Sequence, residues 1–183
     1  MGPSSEITDW CEAILESASA RTVLDLGCGA GRIATVLATA GFAVSAVDRS
    51  ARRISLARRR NDAATYFCSD FFSFLPQTRS DEIIVSRVLH QLPGDQRRRL
   101  LALCREWLTP NGTLLIIDAQ RPSILVATEE LVIGLFDRAH YQNYKEFIAC
   151  GGVSGQASEA DWQSVTERSM RNGILAVALR PRS

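Results

Sequence analysis

Three glycines at alternate positions, from 27 to 31, follow a short apolar segment that contains one acid. Residues 22–26 predict a buried strand with Asp25 near its end, and residues 31–40 predict a helix that begins directly after the glycines. Glycine permits a sharp turn and the close approach of a ligand to the backbone, because it has no Cβ atom. A strand, a glycine-rich turn and a helix form the ligand-binding end of a nucleotide-binding βα unit. The chain is therefore expected to be an α/β protein organised around this turn.

Strand and helix patterns alternate through the middle of the chain, which is typical of a parallel sheet covered by helices on both faces. Near the C-terminus, by contrast, Asn172-Gly173 predicts a tight turn, and the two strands that it joins must pair antiparallel. The run 97–99, three arginines, is interpreted as an exposed helix face, and residues 110–112 and 154–161 as connections. Further strands are predicted at 42–48, 65–70, 82–86, 113–118, 163–168 and 174–179, and further helices at 6–19, 51–60, 95–107 and 123–150.

The length of 183 residues fits a single domain that spans 1–183. A net charge of +1 gives no electrostatic preference for nucleic acid or an anionic membrane, and we expect neither as a partner. The five cysteines form no Cys-x-x-Cys pair, so neither a disulfide framework nor a metal site is predicted. Residues 1–16 lack a secretory pattern, and no segment approaches the roughly 18 apolar residues that span a bilayer. These features predict a cytoplasmic protein in a reducing environment.

Acidic residues recur at the predicted ends of the first three strands. Asp48 ends the second strand and Asp70 ends the third. A carboxylate at Asp48 can accept both hydroxyls of a ribose, and one at Asp70 can accept from the exocyclic amine of adenine. Asp25 suits a cationic ligand better than a pyrophosphate, whose negative charge it would repel. A dinucleotide enzyme stays open as an alternative, because the pattern Gly-x-Gly-x-x-Ala can be read from Gly29.

Five ordered motifs resemble those of the class I S-adenosylmethionine-dependent methyltransferases. They are Val-Leu-Asp-Leu-Gly-Cys-Gly-Ala-Gly-Arg, Val-Ser-Ala-Val-Asp, Cys-Ser-Asp-Phe, Asp-Glu-Ile-Ile-Val-Ser-Arg-Val-Leu-His-Gln-Leu and Leu-Thr-Pro-Asn-Gly-Thr-Leu-Leu-Ile-Ile-Asp. The resemblance covers residues 22–118 well and the final hairpin more loosely. It implies a Rossmann-like, doubly wound, seven-stranded sheet of order 3-2-1-4-5-7-6, with strand seven antiparallel, and S-adenosylmethionine as the cofactor.

The resemblance also implies which residues hold that cofactor. The backbone from Gly27 to Gly29 would approach its methionine and ribose parts, and Asp25 would act through water or by holding the turn. Cys28 is interpreted as a small filler beside the cofactor and not as a nucleophile. The remaining contacts would come from Asp48 at the ribose hydroxyls, from Arg49, Asp70 and the backbone N–H of Phe71 at the adenine, and from the backbone of Ser86 and Arg87 at the ammonium.

Methyl transfer from a sulfonium is an in-line displacement, to which the protein mainly contributes proximity and alignment. His90, just after the fourth strand, is the candidate base for an acceptor that must lose a proton. Family members with a similar Val-Leu-His pattern often use this histidine only to line the cofactor site. Residues 119–162 form the segment in which the resemblance implies an acceptor pocket, and Tyr141 is a second catalytic candidate there. The candidates for substrate contact are His140, Tyr144 and Trp10.

Motifs that are absent narrow the choice of acceptor. After the fourth strand the chain reads Ser86-Arg87-Val88-Leu89, and not the Asn/Asp-Pro-Pro-Tyr pattern of enzymes that methylate planar amino nitrogens. It has no double-acid loop, no carboxylate cluster for a catechol-type magnesium site and no appended RNA-binding domain. A small organic acceptor and a monomer or homodimer are therefore expected. The alternatives are a related fold that binds S-adenosylmethionine for cyclase or decarboxylase chemistry or as a non-catalytic partner, and a nicotinamide-dependent reductase.

Overall fold

The chain forms alternating strands and helices in a computed structural model that describes residues 3–17, 19–122, 128, 132 and 137–182. The strands are β1 (Thr22–Leu26), β2 (Ala43–Asp48), β3 (Thr65–Cys68), β4 (Ser80–Ser86), β5 (Leu108–Ala119), β6 (Trp162–Ser169) and β7 (Ile174–Pro181). The helices are α1 (Pro3–Ser17), α2 (Arg32–Thr39), α3 (Ala51–Arg60), α4 (Gly94–Trp107), α5 (Arg138–Ala149) and α6 (Gly152–Glu159).

Within these ranges, seven strands form one sheet in the order β3-β2-β1-β4-β5-β7-β6. β1 pairs in parallel with β2 on one side and with β4 on the other, and β2 pairs in parallel with β3. β7 pairs antiparallel with β6. The predicted Rossmann-like fold class, with its strand order and its antiparallel seventh strand, is confirmed.

Two compact units are described separately. The first comprises Met1–Ser86 and Glu106–Leu115, and its core includes the apolar residues of β1, β2 and β4. Its helix α3 begins as predicted after Ser50, whose hydroxyl accepts the N–H of Arg53. The second comprises Arg87–Arg105 and Ile116–Ser183, where the predicted turn at Asn172 joins β6 to a fully buried segment of β7. No helix in the described part of the chain is both long enough and apolar enough to cross a membrane.

Three predicted boundaries were wrong. Residues 110–112 lie inside β5 and do not form a turn. Gly112 lets this strand lie close to β4, because a Cβ at this position would be 2.8 Å from the carbonyl oxygen of Asp81. Residues 152–159 form α6 where a connection was predicted, because the sequence of this segment has little helical amphipathicity. The third strand ends at Cys68, two residues before Asp70. Of the helical segment predicted at 123–150, α5 is confirmed, and most of 123–136 lies outside the described residues.

Arg97 was predicted to be exposed, and the structure buries it: 1% of its surface is accessible. Its guanidinium donates to the carbonyl oxygens of Leu92 (3.0 Å) and Asn143 (3.4 Å) and to Oε1 of Glu146 (2.6 Å). The ring of Phe147 lies 5.6 Å from the guanidinium carbon. The arginine therefore joins α5 to the start of α4, because a guanidinium can satisfy several acceptors at once.

We expect Arg97→Met to lower the free energy of unfolding by about 2–4 kcal/mol, because two carbonyl oxygens lose their charged donor in a buried position. The neighbouring variant Arg98→Met is the control, since the Arg98 side chain is 58% exposed and forms a surface ion pair with Glu159 at 3.3 Å. Urea denaturation of both variants measures the difference. Equal losses for the two would contradict a structural role for Arg97.

Candidate functional site

The glycine turn is tied to the end of β2 by backbone hydrogen bonds within the first unit. The N–H groups of Gly27 and Cys28 both donate to the carbonyl oxygen of Val47, at 2.8 and 3.0 Å. The N–H of Gly29 donates to Oδ2 of Asp48 at 2.9 Å. The turn after β1 and the end of β2 thus form one hydrogen-bonded structure at the carboxyl edge of the sheet.

Gly29 and Gly31 are required for different reasons. Both have left-handed backbones, with φ of 57° and 71°. A Cβ at Gly29 would meet nothing within 4 Å, so the backbone faces open space that a ligand can approach. A Cβ at Gly31 would lie 2.7 Å from Cβ of Ala57, so this glycine permits packing within the protein. Gly29 is therefore the position at which bare backbone is open to the approach of a ligand.

Asp48 holds the turn and keeps acceptor capacity. Its Oδ1 accepts the N–H of Ser50 at 2.8 Å, in addition to the Gly29 bond on Oδ2, and Arg53 lies 4.0 Å away. A carboxylate has about four acceptor sites, so two backbone bonds leave room for two hydroxyl groups. The side chain is 7% exposed, which keeps it in a fixed orientation. This geometry fits the predicted role at a pair of vicinal hydroxyls.

Asp25 is 1% exposed and lines a cavity of about 190 Å³. Among the residues that the structure describes, none donates a hydrogen bond to its Oδ2. Burial, and then the negative charge of Asp48, raise the pKa of Asp25 from 3.8 to about 7, although a bond from the Ala34 N–H opposes the shift. A buried acid with an unused oxygen at a cavity fits a ligand that carries positive charge. The cavity is lined by Ile7, Asp25, Gly27, Cys28, Arg32, Ile33 and Ser86.

The other cofactor residues predicted in the first unit are not among the residues that line this cavity. Arg49 and Asp70 are exposed, and Oδ1 of Asp70 accepts the N–H of Phe72 at 2.8 Å. Phe71 is half-buried, with its ring 4.7 Å from the ring of Phe72. Trp10 is buried on α1, the helix that also contributes Ile7 to the cavity. Their roles at adenine or substrate stay predictions.

The raised pKa of Asp25 predicts a pH-dependent stability. Between pH 4 and pH 7 the folded protein binds more protons at Asp25 than the unfolded chain does, so the free energy of unfolding should fall as the pH rises, and level off above about 7. Asp25→Asn should remove this contribution, on the order of 4 kcal/mol across the window. Urea titrations of wild type and variant at several pH values measure the difference. The exposed Asp62→Asn is the control, and a pH-independent difference for Asp25→Asn would refute the assignment.

A second cluster lies in the second unit, around His90. Nδ1 of His90 and Oδ1 of Asp118 are 2.5 Å apart, and the backbone N–H of His90 donates to Oδ2 of the same carboxylate at 3.3 Å. His90 is 2% exposed and Asp118 is fully buried. The sequence analysis did not identify Asp118 as a site residue. The signal that could have identified it is its position as an acid at the end of a strand, which it shares with Asp25 and Asp48.

The rings of α5 complete this cluster. The imidazole of His140 lies 5.8 Å from that of His90, and the ring of Tyr144 lies 6.2 Å from it, both edge to face. Tyr144 is buried, whereas Tyr141 is half-buried and packs under Nζ of Lys145 at 5.1 Å. The structure thus brings three of the predicted residues together, and Tyr141 is not among the ring contacts of His90.

Arg87 connects the end of β4 to this cluster and has a left-handed backbone, with φ of 58°. Its N–H donates to the carbonyl oxygen of Ile117 at 2.8 Å, and its own carbonyl oxygen accepts from Nε2 of Gln91 at 2.6 Å. Ser86, one residue earlier, lines the cavity of the first unit. A role of this backbone at a ligand ammonium stays a prediction.

Comparison with known proteins identifies a methyltransferase domain family whose model matches residues 23–112. An uncharacterized methyltransferase of Synechocystis is 30% identical over 119 residues, which are 63% of this chain and 56% of that protein. The chain thus spans about half of the length of this curated relative. The residues that the family model matches include the glycine turn, most of β1 and all of β2.

Solved structures share the fold. The N-methyltransferase NodS from Bradyrhizobium japonicum superposes with a TM-score of 0.73 at 17% identity, covering 99% of this chain and 97% of NodS. The plantazolicin methyltransferase BpumL, solved in complex with SAH, superposes with a TM-score of 0.69 at 15% identity, covering 98% of this chain and 85% of BpumL. At these identities the likeness establishes the fold and leaves the acceptor undefined.

Proposed function

We propose that the chain is a class I S-adenosylmethionine-dependent methyltransferase and that it transfers a methyl group from S-adenosylmethionine to a small organic acceptor. The observation that carries the proposal is the cavity at the glycine turn, with the unpartnered oxygen of buried Asp25 and the open backbone at Gly29. Asp48 adds two oxygens with remaining acceptor capacity. When bound, the cofactor would supply the electrophilic methyl group on its sulfonium.

The charge of this cavity supports an adenosyl sulfonium over a dinucleotide. A buried carboxylate whose pKa is raised to about 7 by burial and by Asp48 is stabilised by a cation and repels a pyrophosphate. Moreover, the dinucleotide pattern needs Gly31 as a bare backbone position for the pyrophosphate. In this structure Gly31 packs against Ala57 instead. The nicotinamide-dependent reductase is therefore the weaker alternative. The same proposal includes four further expectations. They are a small acceptor, no nucleic acid or membrane partner, a monomeric or homodimeric state and a cytoplasmic setting.

Calorimetric titration tests the cofactor. We expect S-adenosylmethionine and its demethylated product to bind at micromolar concentrations, and NADPH not to bind. Asp48→Ala should weaken binding about tenfold or more, because a charged acceptor of two hydroxyls is lost. Asp48→Asn keeps one acceptor oxygen for the hydrogen bonds of the turn, so it distinguishes a loss of turn stability from a loss of ligand contact. The control is Asp62→Ala, a substitution at an exposed position. Unchanged affinity in both Asp48 variants, or binding of NADPH alone, would overturn the proposal.

Turnover separates methyl transfer from other uses of the cofactor. Incubation with radiolabelled S-adenosylmethionine should label small hydroxyl, amine, thiol or carboxylate acceptors, and should leave total RNA unlabelled. Label in RNA would replace the small acceptor by a nucleic acid. Tight cofactor binding without label in any acceptor would favour the alternative in which the fold serves cyclase or decarboxylase chemistry or acts as a non-catalytic partner.

A further inference from the structure

The carboxyl group of Asp25 is buried, and only part of its hydrogen-bonding capacity is used. Asp25 is 1% exposed, and none of the described residues donates a hydrogen bond to its Oδ2. The Ala34 N–H bonds the group, and the charge that acts on it from within the protein is the negative one of Asp48. A buried carboxylate without a counter-charge is strongly disfavoured, and such a group takes up a proton instead. The protein on its own therefore holds Asp25 protonated below its pKa of about 7.

The cavity that Asp25 lines is small enough to bring a cation close to this carboxyl group. Its volume is about 190 Å³, and Gly27, Cys28 and Ser86 line it together with Asp25. A cavity of this volume is only several ångströms across, so a positive group inside it lies within the roughly 4–6 Å over which a charge shifts a carboxyl pKa. The positive charge favours the ionised form. A cation that enters the cavity therefore displaces the proton of Asp25.

Other titratable and charged groups surround Asp25 on the elements packed around it. Burial raises the pKa of the thiols of Cys11 and Cys28 and that of the Tyr66 hydroxyl, so all three stay uncharged near neutral pH. The remaining groups respond to pH or carry charge, and only a variant that retains all of them isolates the contribution of Asp25. They are Asp48 on β2, Glu82 on β4 and Arg32 on α2, which lines the same cavity.

We propose that Asp25 exchanges its proton for a cationic group of the ligand, so that S-adenosylmethionine binds with the release of one proton from the protein. This inference rests on the proposed function and adds a pH linkage to the same cavity. The carboxylic acid loses its O–H proton to solvent, and the carboxylate that remains pairs with the sulfonium or with the methionyl ammonium of the ligand. No other bond forms or breaks. At acidic pH the proton competes with the cationic ligand for Asp25.

The linkage has a defined sign. Because the bound cation lowers the pKa of Asp25 from about 7, the complex binds fewer protons than the free protein between about pH 4 and pH 7. The affinity for S-adenosylmethionine should therefore rise with pH, by up to about tenfold per pH unit, and level off above about pH 7. Ligand titration does not mask this trend below pH 7, since an α-amino group has a pKa near 8 and an α-carboxyl group one below about 4.

Calorimetric titration in two buffers of different ionisation enthalpy counts the released protons. At pH 6 we expect about 0.9 proton for S-adenosylmethionine, since a group with a pKa of about 7 is about nine-tenths protonated there. Asp25→Asn keeps the shape and removes the titrating group, so its proton release should be lower by that amount and its affinity should vary little between pH 5 and pH 7. Asp62→Asn, at an exposed position, is the matched control and should behave as the wild type.

Two outcomes of these titrations would overturn the inference. One is equal proton release by the wild type and by Asp25→Asn. The other needs no variant: a wild-type affinity that stays constant between pH 5 and pH 7 would exclude the exchange.

Three ligands identify which positive charge enters the cavity. S-adenosylmethionine carries a sulfonium and an ammonium, its demethylated product carries only the ammonium, and neutral methylthioadenosine carries neither. Proton release by the first two ligands identifies the ammonium, and release by the first alone identifies the sulfonium. Proton release on binding of methylthioadenosine would contradict the exchange, because no cation is then present. Binding of S-adenosylmethionine without proton release would remove this inference alone, whereas no binding of S-adenosylmethionine or its product at any pH would contradict the proposed function.

Discussion

The first unit depends on the hydrogen bonds that tie the glycine turn to the end of β2. When β1 ends, its next amides need acceptors, and they find the Val47 carbonyl oxygen and the Asp48 carboxylate. These bonds require left-handed backbone at the glycines, which brings bare backbone to the edge of the sheet. They also fix Asp48, whose charge raises the pKa of its neighbour Asp25. One set of backbone bonds thus creates both the shape and the charge of the cavity.

The parts of this fold that are determined locally were predictable from the sequence. The turn, its flanking strand and the acid at the end of β2 depend on residues within one βα unit, and α3 occupies its predicted span because Ser50 caps it. The strand order was predicted only through the resemblance to a known family, since nothing in the periodicity says which strands become neighbours. Asp25 and Asp48 were predicted as ligand residues for the same local reason, because strand-end acids beside glycines are visible in the sequence.

The parts that depend on distant contacts were not predictable. Arg97 belongs to a charged run that is typical of an exposed face, and only the carbonyl of Asn143 and the carboxylate of Glu146, 46 and 49 residues further on, explain its burial. Likewise α6 has no helical pattern of its own, and the side chain of Gln120 accepts from the Ser154 N–H near its start at 3.0 Å. His90 was identified from a motif, but its partner Asp118 lies 28 residues away, and spacing in the sequence does not predict such a pair.

Asp25 and Asp118 show how the same residue type acquires opposite properties in similar positions. Both are fully buried aspartates near the end of a strand, and burial acts to raise the pKa of each. The pKa of Asp118 is nevertheless lowered, by the charge and hydrogen bond of His90, by the Ala119 N–H and by the charge of Arg87. The pKa of Asp25 is raised by burial and then by the negative charge of Asp48. The counter-charge of Asp118 is part of the chain, whereas under the proposed function that of Asp25 arrives with a ligand. A protein that folds with one such acid unsatisfied is less stable without its ligand, and it recovers that free energy when a cation binds.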